Sequence, residues 1–188
     1  MSDDVERRVL DAVRRHALDG VLPGAASTVG LGRAEFAALC AAVGVGEASD
    51  VVPANDATRS PFLAPLIALL WSHRCAEGAW TRLMAGTIAS AAFGARHLWQ
   101  DLGASGRPEV TGLMMRHFRT LAERNVRNLK WKHHLFLCLG AEMGMPDLRP
   151  PRCDGCEEQR ICFPDGPIVV SLVRDKHDRA STQGEQPA

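Results

Sequence analysis

The chain has 188 residues, of which 46% are hydrophobic, 23% charged and 5% aromatic, with no tyrosine. That composition suits one globular domain with a sizeable core, and no apolar run approaches the roughly 18–20 residues that span a bilayer. Basic and acidic residues both number 22, so the formal net charge is zero, which argues against a wholesale electrostatic nucleic-acid binder.

The opening Met1-Ser2-Asp3-Asp4 is acidic and has no apolar stretch, so no secretory signal is expected and the expected location is cytoplasmic. Residues 3–19 read as a helix: Val5, Val9, Val13 and Ala17 recur every four residues, Leu10 and Leu18 flank them, Asp3 or Asp4 caps the start, and Gly20 ends it. Residues 21–32 read as a loop, with Pro23, Gly24, Gly30 and Gly32. A short helix follows over 33–43, with Phe36, Leu39 and Val43 on one face. Residues 44–60 read as a long connection and are the one candidate domain boundary. Ser60-Pro61 starts a helix that is apolar almost all round from Phe62 to Ala76, with Pro65 in its first turn. Gly78 separates it from a helix over 79–93, with Trp80, Leu83, Met84, Thr87, Ile88 and Ala91 facing inward.

After Gly94, residues 97–103 form a compact connection. Pro108 opens a helix over 108–124, with Val110, Leu113, Met114, His117, Phe118 and Leu121 at helical spacing. Asn125 or Asn128 punctuates before a last helix over 128–143, which Gly144 and Pro146 stop. Residues 146–167 hold five prolines and a cysteine triplet and have no periodicity, so they need another organiser, for which a metal or cluster would serve. Residues 168–173 read as a short strand or docking segment, and 176–188 as a disordered tail. The expected fold is therefore all-α: a compact bundle of about six helices in one domain over 1–175, with an irregular C-terminal cysteine-bearing loop.

There are six cysteines. Cys40 and Cys75 sit in helical contexts and read as buried core residues. Cys153, Cys156 and Cys162 have a C-x2-C-x5-C spacing, which in a reducing compartment points to metal or redox chemistry. Three thiolates suit an iron–sulfur unit with one open corner. Zinc would want a fourth ligand, for which Cys138, His133, His134 and His177 are candidates, and dithiol chemistry through Cys153 and Cys156 is a third reading. His97 is a further candidate ligand, although a half-buried side chain is its default. His117 reads as a hydrogen-bonded core histidine and Met114-Met115 as packing. No glycine-rich phosphate loop or hydrolase elbow is present, so no turnover enzyme is indicated.

Residues 107–134 hold seven bases and two acids. Arg116, Arg119, Glu123 and Arg127 would line one face if the helix continued that far, with Lys130 and Lys132 following. These cations are candidates for binding an oxyanion such as molybdate, phosphate or sulfate or for docking a partner, against the alternative of a solvated charged face.

The run His97-Leu98-Trp99-Gln100-Asp101-Leu102-Gly103 resembles the HLWQDLGL signature of the NifQ family of nitrogen-fixation proteins. Glu109-Val110-Thr111-Gly112-Leu113-Met114 resembles its ELSxLM stretch. His117-Phe118, Leu121-Ala122 and Asn125 follow in order, Leu129-Lys130-Trp131-Lys132 is similar to its MKWK segment, and the cysteine triplet matches its terminal motif. These segments cover about residues 80–163. The resemblance implies a cytoplasmic, non-enzymatic carrier of a molybdenum–iron–sulfur cluster, or of an iron–sulfur cluster, that supplies molybdenum to the scaffold assembling the nitrogenase iron–molybdenum cofactor. It implies no nucleic acid or membrane partner. A helical interaction module with a structural zinc site is the alternative. The family's cysteine pattern has a fourth member, C-x4-C-x2-C-x5-C, and where its first cysteine would fall this chain has Leu148. Cys138 or a histidine takes its place, or the site is open, or binding is altered.

Overall fold

A computed structural model describes residues 3–46 and 60–151. The described residues form eight α-helices and one 3-10 turn, with no strand. The cysteine triplet, the segment 168–173 and the tail from 176 lie outside them, as does most of the 44–60 connection.

Helix α1 (Asp4–Leu18) buries Val9, Leu10, Val13 and Ala17 as their spacing requires, but Leu18 is exposed and Asp3, at the N-cap position, makes no capping bond with its side chain. The loop that follows contains a 3-10 turn (Gly24–Thr28), and residues 25–31 are buried throughout. Helices α2 (Arg33–Ala42) and α3 (Leu63–Ser72) come next. The end of α3 is capped by Arg74, whose Nη1 donates to the Trp71 carbonyl at 3.1 Å while its guanidinium stacks on the Trp71 ring.

Helix α4 (Ala79–Ala91) is the centre of the bundle, touching α1, α2, α3, α5 and the 3-10 turn, and every residue from Leu83 to Ala91 is buried. Its small residues let neighbouring backbone approach. A Cβ at Gly86 would lie 2.4 Å from the carbonyl oxygen of Val29, which itself sits at φ 47°, a conformation that β-branched residues rarely adopt. The connection 97–103 contains a single helical turn, α5 (Leu98–Asp101).

The helix expected over 108–124 is two helices, α6 (Arg107–His117) and α7 (Arg119–Glu123), broken at the fully buried Phe118 (φ −138°, ψ 49°). A break leaves backbone groups that need partners. Cys75 supplies two: its backbone N–H donates to the His117 carbonyl at 2.8 Å, and its Sγ accepts from the Arg119 N–H at 3.3 Å. Cys75 is thus an exposed residue beyond the end of α3, not the core residue expected, whereas Cys40 is fully buried.

Helix α8 (Trp131–Met143) starts three residues later than expected. Both asparagines act as stops. Asn128 takes φ 53°, and Asn125 clamps Leu129, accepting from its N–H at 2.8 Å and donating to its carbonyl at 3.0 Å. One apolar core runs from Val9 to Leu139, with Met114 inside it.

Candidate metal and oxyanion site

Asp101, at the end of α5, has no solvent exposure. Its Oδ2 accepts from Lys132 Nζ at 2.6 Å and from the Arg96 N–H at 3.2 Å, and its Oδ1 accepts from Arg96 Nε at 3.0 Å. Lys132 Nζ also donates to the Gly94 carbonyl at 2.9 Å. The turn around Asp101 is locked locally, because the Gln100 Oε1 accepts from the His97 N–H at 3.0 Å. His97 itself is half-buried at the N-cap of that turn. Thus the two segments His97–Gly103 and Leu129–Lys132 meet through one buried ion pair.

The cations from 107 to 132 divide into two sets. Arg116 pairs with the buried Glu6, Arg107 donates to the carbonyls of Asn128 and Leu129, and Lys132 is held by Asp101. Arg119, Arg124 and Arg127 are exposed and make no side-chain hydrogen bond or ion pair among the described residues. Lys130 is the half-buried N-cap residue of α8. The single face expected for Arg116, Arg119, Glu123 and Arg127 does not exist, because the bend at Phe118 re-aims the chain between the first two and α7 ends at Glu123.

His134 and Cys138 share one face of α8. His134 is buried and its Nε2–H donates to the Leu121 carbonyl in α7 at 2.9 Å. Cys138 Sγ lies 3.8 and 3.9 Å from the two His134 ring nitrogens. Burial, partly offset by Arg124, pushes the Cys138 thiol above its ordinary value. His133 is half-buried on another side of α8. Burial is the main cause holding its imidazole below its ordinary value, and Arg127, His134 and Arg149 add to it. Among the described residues no three His, Cys, Asp or Glu side chains converge as a metal site. Cys153, Cys156 and Cys162 lie outside them, the first being two residues beyond Pro151, where the described chain ends.

The family model for NifQ matches residues 9–164, which takes in both halves of the Asp101–Lys132 pair and the cysteine triplet. The chain belongs to the NifQ family. It is 40% identical over 80 residues to Protein NifQ of Azotobacter vinelandii, covering 43% of this chain and 41% of that protein. It is 35% identical over 112 residues to Protein NifQ homolog of Sinorhizobium fredii (60% and 49% covered), and 33% identical over 129 residues to Protein NifQ of Klebsiella pneumoniae (63% and 77% covered). The chain thus spans under half the length of the first two relatives. No solved structure matches.

This NifQ-family chain has a second buried polar cluster that motif reading misses. Glu6, 2% exposed, lies on the apolar stripe of α1, and a charge at such a position is the sequence signal that a buried partner exists. Its Oε1 accepts from Arg116 and, at 3.1 Å, from His117 Nε2, while His117 Nδ1 meets Thr81 Oγ1 at 3.1 Å. This satisfies a neutral imidazole, with Nε2–H donating to Glu6 and Nδ1 accepting from the threonine hydroxyl. Burial pushes the Glu6 carboxyl up, but hydrogen bonds from Arg116, from its own backbone N–H and from His117 outweigh it and leave it below its ordinary 4.5. Burial pushes the His117 imidazole below its ordinary 6.5, Arg116 adds to that, and Glu6 and Asp3 pull against it.

Two predictions follow from these clusters. Breaking one side of a buried pair costs about 3–5 kcal/mol because a buried charge is left exposed to an apolar interior. Lys132→Met and Asp101→Asn should each lower the urea midpoint, and the double variant should fall short of additivity by more than about 1 kcal/mol. Additive losses would mean that the pair does not tie α5 to α8. For His117 the neutral form is the folded one, so its contribution is complete above the unfolded value of 6.5 and is lost as pH falls from there through the folded value. Glu6 acts at lower pH, its contribution being lost only as pH falls below its unfolded 4.5 and through its folded value. Urea midpoints should therefore drop as pH falls below the unfolded 6.5, with a slope of at most about 1.4 kcal/mol per unit from this group, and His117→Gln should flatten that drop. An unchanged slope in the variant would remove His117 as its source.

Proposed function

We propose that this chain carries molybdenum together with an iron–sulfur unit and supplies molybdenum for the nitrogenase iron–molybdenum cofactor. The observation that carries the reading is the extent of the family match, which runs from α1 to just beyond Cys162 and includes the whole thiolate triplet. Cys153, Cys156 and Cys162 are the proposed thiolate ligands. Their donor chemistry fits, because clustered thiolates favour soft metal centres. Molybdenum is cargo in this account, and the iron–sulfur unit, when bound, provides sulfide to which molybdenum can attach.

The chain's own residues then have separable tasks. The thiolates hold iron. Arg119 and Arg127, with Lys130 nearby, raise the local concentration of an incoming oxyanion such as molybdate, or dock an acidic face of the scaffold protein that receives the metal. Arg116 and Lys132 hold α6 to α1 and α8 to α5, and so keep that basic surface in place. The protein acts by binding and release, as a delivery protein and not a turnover enzyme.

Elemental analysis of anaerobically purified full chain tests this. The expected result is iron and molybdenum together, with both falling at least about tenfold when Cys153, Cys156 or Cys162 is changed to Ala. Zinc as the sole metal, retained as a structural element whose removal unfolds the chain, would contradict the carrier reading. So would metal content that is unchanged in all three variants.

A further inference from the structure

Connections are usually the mobile parts of a fold, but the one between α7 and α8 is exposed and yet firmly held. Asn125 closes it into a ring: its side chain bonds both the N–H and the carbonyl of Leu129, at 2.8 and 3.0 Å, and its own carbonyl accepts from the Asn128 N–H at 2.9 Å. From the start of α6, Arg107 Nη2 donates to the Asn128 carbonyl at 2.8 Å, to Asn128 Oδ1 at 2.7 Å and to the Leu129 carbonyl at 2.6 Å.

This braced loop presents Val126, which is 87% exposed, whereas Leu18, Val21, Met143 and Met145 are exposed by 41–44%. A single exposed valine is ordinary. What sets this one apart is its surroundings. Arg124 and Arg127 flank it, both are exposed, and neither makes a side-chain hydrogen bond or ion pair among the described residues.

The two guanidinium groups do not share one spot. Arg124 acts electrostatically on His134 and Cys138, and on His73 at the end of α3, whereas Arg127 acts on His133. His133 and His134 project about 100° apart on α8, so the positive charge is spread to both sides of the tip. A small tetrahedral oxyanion is gripped by donors that converge on it. Charge divided around an apolar tip fits a broader acidic face, in the pattern of an apolar interface centre within a polar, arginine-rich rim. Nucleic acid fits poorly, because residues 119–130 offer no aromatic side chain on which a base could stack and the chain has zero net charge. One valine is too little apolar area to anchor in a membrane. Because the loop is already ordered, a protein partner would pay little entropy to dock on it.

We propose that residues 124–128 are a protein-docking element: Val126 enters a small apolar notch on a partner, and Arg124 and Arg127 pair with carboxylates on its rim. The choice of partner rests on the carrier reading, under which it is the scaffold protein that receives molybdenum. The basic surface at this loop then serves docking and not oxyanion capture.

The test measures the Kd of the purified full-length chain for the purified scaffold protein at low and high salt, with the iron and molybdenum content of each variant determined alongside. Val126→Asp is expected to raise Kd at least about tenfold while metal content stays at the wild-type level. Arg124→Glu and Arg127→Glu should each raise Kd and flatten its salt dependence. Asn125→Ala keeps the contact side chains but unlocks the loop, and should raise Kd as well. Arg15→Glu, the same charge change on the exposed side of α1, should leave Kd unchanged. Wild-type affinity in Val126→Asp, or a loss in Arg15→Glu as large as that in Arg124→Glu, would overturn the docking assignment. So would a wild-type chain that holds iron and molybdenum but does not bind the scaffold, a result that leaves the carrier reading standing. A chain that binds the scaffold through Val126 yet carries no molybdenum would support the docking surface and overturn the carrier reading.

Discussion

A carboxylate with no exposure to solvent is tolerable only when cations and hydrogen-bond donors surround it, and Asp101 sets that constraint for this fold. Lys132 and Arg96 meet it, with the backbone N–H of Arg96 as a further donor. Lys132 comes from the first turn of α8, so its pairing fixes where α8 begins and how it is rotated. That rotation decides that His134 and Cys138 turn towards α7 while Gly140 turns towards the returning chain. One ion pair, between residues 31 apart in sequence, therefore ties the start of α8 to α5.

The same logic divides the positive charge of residues 107–132. A cluster of cations in sequence invites a single functional reading, but Arg116 and Lys132 have internal carboxylate partners and Arg107 caps carbonyls, so the surface charge left for binding is narrower. Arg119, Arg124 and Arg127 remain outward, around the bend between α6 and α8. Local sequence cannot separate the two sets, because Glu6 is 110 residues from Arg116 and Asp101 is 31 from Lys132.

Periodicity made α1, α2, α3 and α4 readable, since each presents an apolar stripe or is apolar all round and is bounded by glycine or proline. It failed at Phe118 for a specific reason. Val110, Leu113, Met114, His117, Phe118 and Leu121 keep helical spacing straight through the break, so nothing in the pattern marks it. The break is stabilised from outside by Cys75, and that contact is tertiary. The all-helical architecture was legible, as was the core role of His117 and Met114, whereas the direction in which each α8 side chain points was not.

The central claim is that molybdenum is held in a sulfur-bridged iron environment and is not merely adsorbed as an oxyanion by the basic surface. Molybdenum K-edge X-ray absorption of the anaerobically loaded full chain tests it most directly. The account predicts sulfur neighbours around molybdenum with iron just beyond them, and loss of that signature when Cys153, Cys156 and Cys162 are replaced. A spectrum showing only the oxo neighbours of molybdate, indifferent to those cysteines, would contradict it.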